Sequence, residues 1–129
     1  MKRYDPLKAP DPKEWLALDE QQRISVAQQY HVAARIKVPN VRLHATAHAI
    51  VENQIALGEE IPVARTLRRL MAEGLDRHEA IHAIGSVLMG FIHDLMKQTE
   101  THGEPAGDPN QAYYAELESL TAESWRRSG

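Results

Sequence analysis

Helix boundaries are written along this chain from one end to the other, and they leave little room for a sheet. Asp11, Pro12 and Glu14 supply an N-cap, a first-turn proline and an acidic third position. Asp19 with Gln22 three residues later repeats the signal, so a short helix over 12–18 is followed by a longer one over 20–36. Pro39 disfavours helix just before it and Asn40 caps what comes next, a helix from Val41 to Leu57 ending at Gly58. Pro62 opens another that Gly74 stops, and Asp76 caps a further one running to about Gln98. The segment THGEPAGDPN reads as a loop, and Asp108-Pro109 starts a last helix that finishes with Arg126 and Arg127 near its C-terminal dipole. No window alternates with a period of two, as a half-buried strand would. The expectation is an all-α, compact helical bundle of about five helices. An extended N-terminal arm covers 1–11, a helical core 12–98, a flexible loop 99–108, and a C-terminal helix, 109–129, packs on the same domain.

The 129 residues suffice for one buried core. Absence of cysteine excludes disulfides, thiolate zinc sites and cysteine nucleophiles, so any metal must be held by histidine, carboxylate or carbonyl groups. Fifteen basic against eighteen acidic residues give no electrostatic footprint for nucleic acid, and Arg65, Arg68 and Arg69 read as a solvated helix face. Aromatic residues are too sparse, at 5%, for a base-stacking platform. No apolar run approaches the ~18 residues of a membrane span, and the N-terminus lacks a signal-peptide core. Those features predict a cytoplasmic protein with no nucleic-acid or membrane partner.

Six of the seven histidines lie between positions 31 and 93, and their directions carry the functional reading. At about 100° per residue, Ile81, Ile84, Leu88, Ile92 and Leu95 form one apolar stripe. His78, His82, Met89, His93 and Met96 lie on its shoulder, with Gly85 beside them leaving space. On the 41–57 helix, His44, His48 and Glu52 follow one another in the same way along the edge of an apolar arc. Imidazoles on two helices converge if those helices pack together. His44 and Glu52, about 12 Å apart along the axis, cannot both ligate one ion at ~2 Å. A single site therefore takes His48 with either His44 or Glu52.

The segment DRHEAIH contains His-Glu-x-x-His, in which two imidazoles one turn apart face the same ion. The glutamate beside the first ligand, here Glu79, then deprotonates a metal-bound water whose pKa the ion lowers towards ~7. The continuation HEAIHAIGSVL is similar to the first part of the metzincin pattern, but Leu88 stands where a third histidine is required, and no sheet is available for a cleft. Proteolysis is therefore not expected. Asp76 and Glu79 also match a capping box, which accounts for Glu79 without chemistry. His31 reads as a terminal histidine complementing the helix dipole, and His102 as an exposed loop residue.

Together, HATAHAIVENQIALGEEIP, RLMAEGLDRHEAIHAIGSVL and WLALDEQQRISVAQQYH resemble a set of small bacterial all-helical proteins with paired-histidine helices. The resemblance covers about residues 15–95; it implies a helical domain, groups His44, His48, Glu52, His78, Glu79 and His82, and implies no substrate. The leading expectation is a divalent transition-metal ion, zinc or alternatively iron or manganese, held between the 41–57 and 77–98 helices. His48, His78 and His82 are its ligands, with His44 or Glu52 completing the set. If a coordination position stays open, the chemistry is metal-dependent hydrolysis of a small molecule or peptide, with Glu79 as general base. Two alternatives stay open. Glu79 and His82 form the Glu-x-x-His pair of di-metal or non-haem iron bundles, and a non-catalytic interaction domain would use the histidines structurally. Pairing of amphipathic helices into a homodimer is also left open.

Overall fold

A computed structural model describes residues 3–104 and 107–128. Residues 1–2 of the expected arm, 105–106 of the expected loop and 129 of the expected last helix lie outside the described residues. The described chain is all-helical: α1 (Pro12–Ala17), α2 (Glu20–Ala33), α3 (Val41–Ala56), α4 (Val63–Ala72), α5 (Arg77–His102), α6 (Asn110–Ser119) and α7 (Ala122–Ser128). A single 3₁₀ turn, Gly58–Glu60, fills the GEEIP connection. Among the described residues no helix is long and apolar enough to cross a membrane.

The caps do what the sequence leads one to expect. Asp11 accepts from the backbone of Lys13 and Glu14, Asp19 and Gln22 close a full capping box, and Asn40 accepts from Leu43. Three boundaries differ: α2, expected over 20–36, ends at Ala33, with Arg35 beyond it at φ 58° in the left-handed region, which helix cannot continue through. The single helix expected over 109–126 is broken at Leu120, whose extended ψ of 132° ends α6. Thr121 and Ser124 then bond each other's backbone N–H groups reciprocally and start α7, a polar pairing that outweighs helix continuity. Helix α5 runs on to His102, stopped by Gly103 at φ 76°.

Two apolar clusters share α3. One joins Val51 of α3 to Leu67 and Leu70 of α4, Ile81, Ile84 and Leu88 of α5, and Tyr113 and Leu117 of α6. The other joins Ala45 and Ala49 of α3 to Ile24 and Ala27 of α2, Trp15 of α1 and Tyr4 of the arm. Fully buried aliphatic side chains such as Leu70 and Ile84 each stabilise the fold by about 1.5–3 kcal/mol. In the second cluster small side chains, Ala27 of α2 and Ala45 and Ala49 of α3, let α2 and α3 approach closely, and this brings the end of α2 against the first turns of α3. The arm is not free: Tyr4 is buried, packed against Trp15 and Tyr30. Of the interhelical bonds, Asn53 accepts from Trp15 and Arg23, and Gln54 accepts from Tyr113. Arg65, Arg68 and Arg69 each meet a glutamate, Glu118, Glu59 and Glu73, so the basic face is locally neutralised.

Candidate metal centre

Five imidazoles meet where α2, α3 and α5 come together. His31, His48, His78 and His82 place one ring nitrogen each within 4.8 Å of one another, and this is the one such group among the described residues. His44 adjoins it, with Nε2 3.1 Å from His82 Nε2, while His82 Nε2 stands 3.0 Å from His48 Nε2. Ring centroids are 4.2 Å apart for His78 and His82 and 4.6 Å apart for His31 and His48. The i, i+4 pairs of α3 and α5 converge because the two helices pack together. His93 does not join them; it is exposed beside Asp94. His102 is also exposed.

His31 is the residue that the sequence reading missed. It stands in the last turn of α2, as a dipole-complementing histidine would, but it is fully buried, following Ile24 and Ala27 on the buried face of that helix. That i, i+3, i+7 continuation was the available signal.

The hydrogen bonds fix which nitrogen of two histidines holds a lone pair. His31 Nδ1 lies 2.8 Å from the Ala27 carbonyl oxygen, an acceptor only, so Nδ1 carries the proton. Nε2 is left as the acceptor nitrogen, and it is buried with no hydrogen-bond partner. His48 is set by a longer chain. Arg77 donates two bonds to Glu52, of 2.8 and 2.7 Å, and Tyr4 donates its one hydroxyl proton to Glu52 at 2.5 Å. The Tyr4 oxygen can then only accept from His48 Nδ1 at 3.1 Å, so Nδ1 is protonated and Nε2 carries the lone pair towards His82. His78 Nε2 is likewise buried and without a partner. Unpaired buried nitrogens of this kind are costly.

Protons do not relieve the crowding. Burial first, then the neighbouring imidazoles His31 and His82, lower the pKa of His44 to about 4. For His82, burial and His78 lower it to about 4, and His48 and His78 are also pushed down, burial again the main cause. The cluster is therefore neutral at pH 7 at these four rings. With His48 Nε2 unprotonated, the single Nε2 of His82 cannot make two separate conventional bonds to His48 and His44. The lone pairs of His31 Nε2 and His48 Nε2 thus point into a group of ring nitrogens close enough together to hold a metal ion.

Glu52 was expected as a ligand; its two oxygens are engaged by Arg77 and Tyr4, and the Arg77–Glu52 pair is buried. A buried carboxylate takes the guanidinium fork that matches it on both oxygens. Arg77 also donates to the Pro6 carbonyl at 2.9 Å, tying the arm to the start of α5. Burial opposes the Arg77 charge, but Glu52 more than offsets this and raises its pKa. Burial and then the Glu52 charge push the Tyr4 hydroxyl well up, keeping it a proton donor. Glu79 is exposed; its backbone N–H is capped by Asp76, while its carboxylate accepts from the Trp125 indole at 2.9 Å. The expected capping box is thus closed from one side only.

A pocket of about 460 Å³ opens beside the cluster. His44, His48 and His82 line it together with Val38, Pro39, Leu43, Ala47, Ile81, Gly85, Met89 and Trp125, the remaining lining residues being Asn40 and Ser86. No charged side chain lines it. An added Cβ at Gly85 would lie 4.0 Å from Val51 Cγ2, an ordinary contact. Comparison with protein-family models, with curated proteins and with solved structures returned no match to this chain.

Proposed function

We propose that this protein binds one divalent transition-metal ion, zinc in the first instance, through His31, His48, His78 and His82. The observation that carries the reading is the convergence of four ring nitrogens within 4.8 Å, the buried Nε2 atoms of His31 and His78 having no other partner. Four nitrogens around zinc at about 2.0–2.1 Å stand about 3.3–3.4 Å apart, so the widest separations, up to 4.8 Å, need to contract and the 3.0 Å between His48 and His82 needs to open slightly. Two of the four rings already have their tautomers fixed by a backbone carbonyl and by the Tyr4–Glu52–Arg77 chain, the outer support typical of metal-binding histidines. A set made only of imidazoles suits zinc or iron better than manganese, which favours carboxylate oxygens. When bound, the ion would supply Lewis acidity and a water of lowered pKa.

His44, next to His82 on the pocket side, is placed to ligate or to exchange protons with a group on the ion. A general-base role for Glu79 would require its carboxylate to release Trp125, so hydrolysis is the further step of this reading, and metal binding the first. The test is elemental analysis of protein purified without a histidine tag, followed by melting with added zinc. About one ion per chain, lost in His48→Ala and in His31→Ala, is the expected result. Metal-free protein whose melting is unmoved by zinc, iron or manganese would overturn the proposal.

A further inference from the structure

We infer that the pocket beside the imidazole cluster binds an apolar monocarboxylate, whose carboxylate caps the metal ion while its hydrocarbon or aromatic tail fills the pocket. This rests on the metal reading above and adds a ligand class to it. Three observations lead there. His48 and His82 both belong to the ligand set and line the pocket, so an ion held by them borders that space. All four proposed ligands are histidines; the buried carboxylate beside them, Glu52, is spent on Arg77 and Tyr4, while Glu79 bonds the Trp125 indole and Asp76 caps α5. The ion would keep its double positive charge in a largely buried setting, where an uncompensated charge is costly and an anion is drawn in.

The third observation is what the walls contain. Leu43, Ala47, Ile81, Met89, Val38, Pro39 and Trp125 present mostly carbon, and no lysine or arginine is available to hold an anion. The metal would be the only cation the ligand meets. Small polar anions such as phosphate would leave the apolar walls uncovered, and a neutral apolar molecule would leave the ion uncompensated. A carboxylate with a tail satisfies both, and the volume of about 460 Å³ suits a small amphiphile. His44, lining the same space, can donate its Nε2–H to the second carboxylate oxygen. Leu43 is half exposed at the rim, so it is a wall residue that can be changed without opening the core.

The experiment uses the full chain loaded with cobalt(II), whose visible absorption reports the coordination of the ion. Octanoate, acetate and octanol are titrated in turn. Octanoate should shift the cobalt bands and bind at least tenfold more tightly than acetate, since each buried methylene contributes about fourfold. Octanol should leave the bands unmoved. Leu43→Asn should retain the cobalt spectrum and weaken octanoate several-fold while leaving acetate unchanged; Met89→Asn serves as the second variant should the first bind cobalt poorly. Equal affinity for octanoate and acetate, or equal octanoate binding by metal-free and cobalt-loaded protein, would overturn the inference and leave the metal site standing. Failure to bind cobalt at all would overturn the metal reading, visible before any ligand is added, and this inference with it.

Discussion

Replacing Arg77 by methionine removes the charge that holds Glu52 while keeping most of the side-chain volume. The pair is buried on both sides, with side-chain exposures of 4% and 1%, so little water is available to take the place of the guanidinium. Breaking one member of a buried pair costs about 3–5 kcal/mol, because the other charge is left uncompensated. Arg77 also gives up its bond to Pro6, and the Tyr4 hydroxyl is left as the donor that faces the Glu52 carboxylate. Against a total stability of about 5–15 kcal/mol, a loss of this size is large. For a domain of this length it corresponds to a fall in Tm of about 10–25 °C. The assay is urea unfolding of metal-free protein, so that metal linkage does not enter, comparing wild type, Arg77→Met, Glu52→Gln and the double variant. The two single losses should exceed their combination, with a coupling of at least about 1 kcal/mol. Single losses below about 1 kcal/mol, or losses that simply add, would refute the assignment of Glu52 to Arg77 and return it to the pool of candidate ligands.

Three other outcomes are expected. Tyr4→Phe removes the hydroxyl that fixes the His48 tautomer, and zinc affinity should drop about 10–100-fold in chelator competition while helicity is retained; an unchanged affinity would show that the chain through Tyr4 does not tune the site. Glu79→Gln should keep full metal content, because its carboxylate bonds to Trp125 and not to the cluster; loss of metal on elemental analysis would contradict that placement. For pH, the folded-state pKa of His44 and of His82 is lowered from 6.5 to about 4, so the unfolded chain takes up protons first. Stability of the metal-free protein should be complete above about pH 6.5 and fall as the pH drops towards about 4. A melting temperature that is flat or rises over that interval would contradict the burial of these rings.

Local signals in the sequence were enough for most helix starts and for three of the four converging histidines, His48, His78 and His82. Caps and prolines act within four or five residues, so Asp19, Asn40 and Asp76 mark helix starts without help from the rest of the fold. The i, i+4 histidines are equally local, and their convergence needed only that α3 and α5 pack together. What escaped depends on distant partners. Glu52 looks like a ligand until Arg77 is placed beside it, and Tyr4 sits in an arm with no periodicity to show which way it faces. Arg77 did leave a trace, since a cation in the first turn of α5 opposes the helix dipole and asks for another reason to be there. Thr121 was overlooked because an apolar and acidic run continues helix-like through Leu120.

The bond from Arg77 to Pro6 joins positions 71 residues apart, whereas α2 and α3 are neighbours in sequence and pack directly. Closing the longer loop carries the larger entropic cost and is expected to follow the hairpin of α2 and α3 in folding. The molecule then has a late-joining strap: helices can assemble with four histidines roughly in place while His48 is still free to choose either tautomer. Native-state hydrogen exchange should find the arm opening at lower free energy than α3, with bound zinc slowing both. Such a lag would make the competence of the centre a property of the finished chain, acquired after its helices.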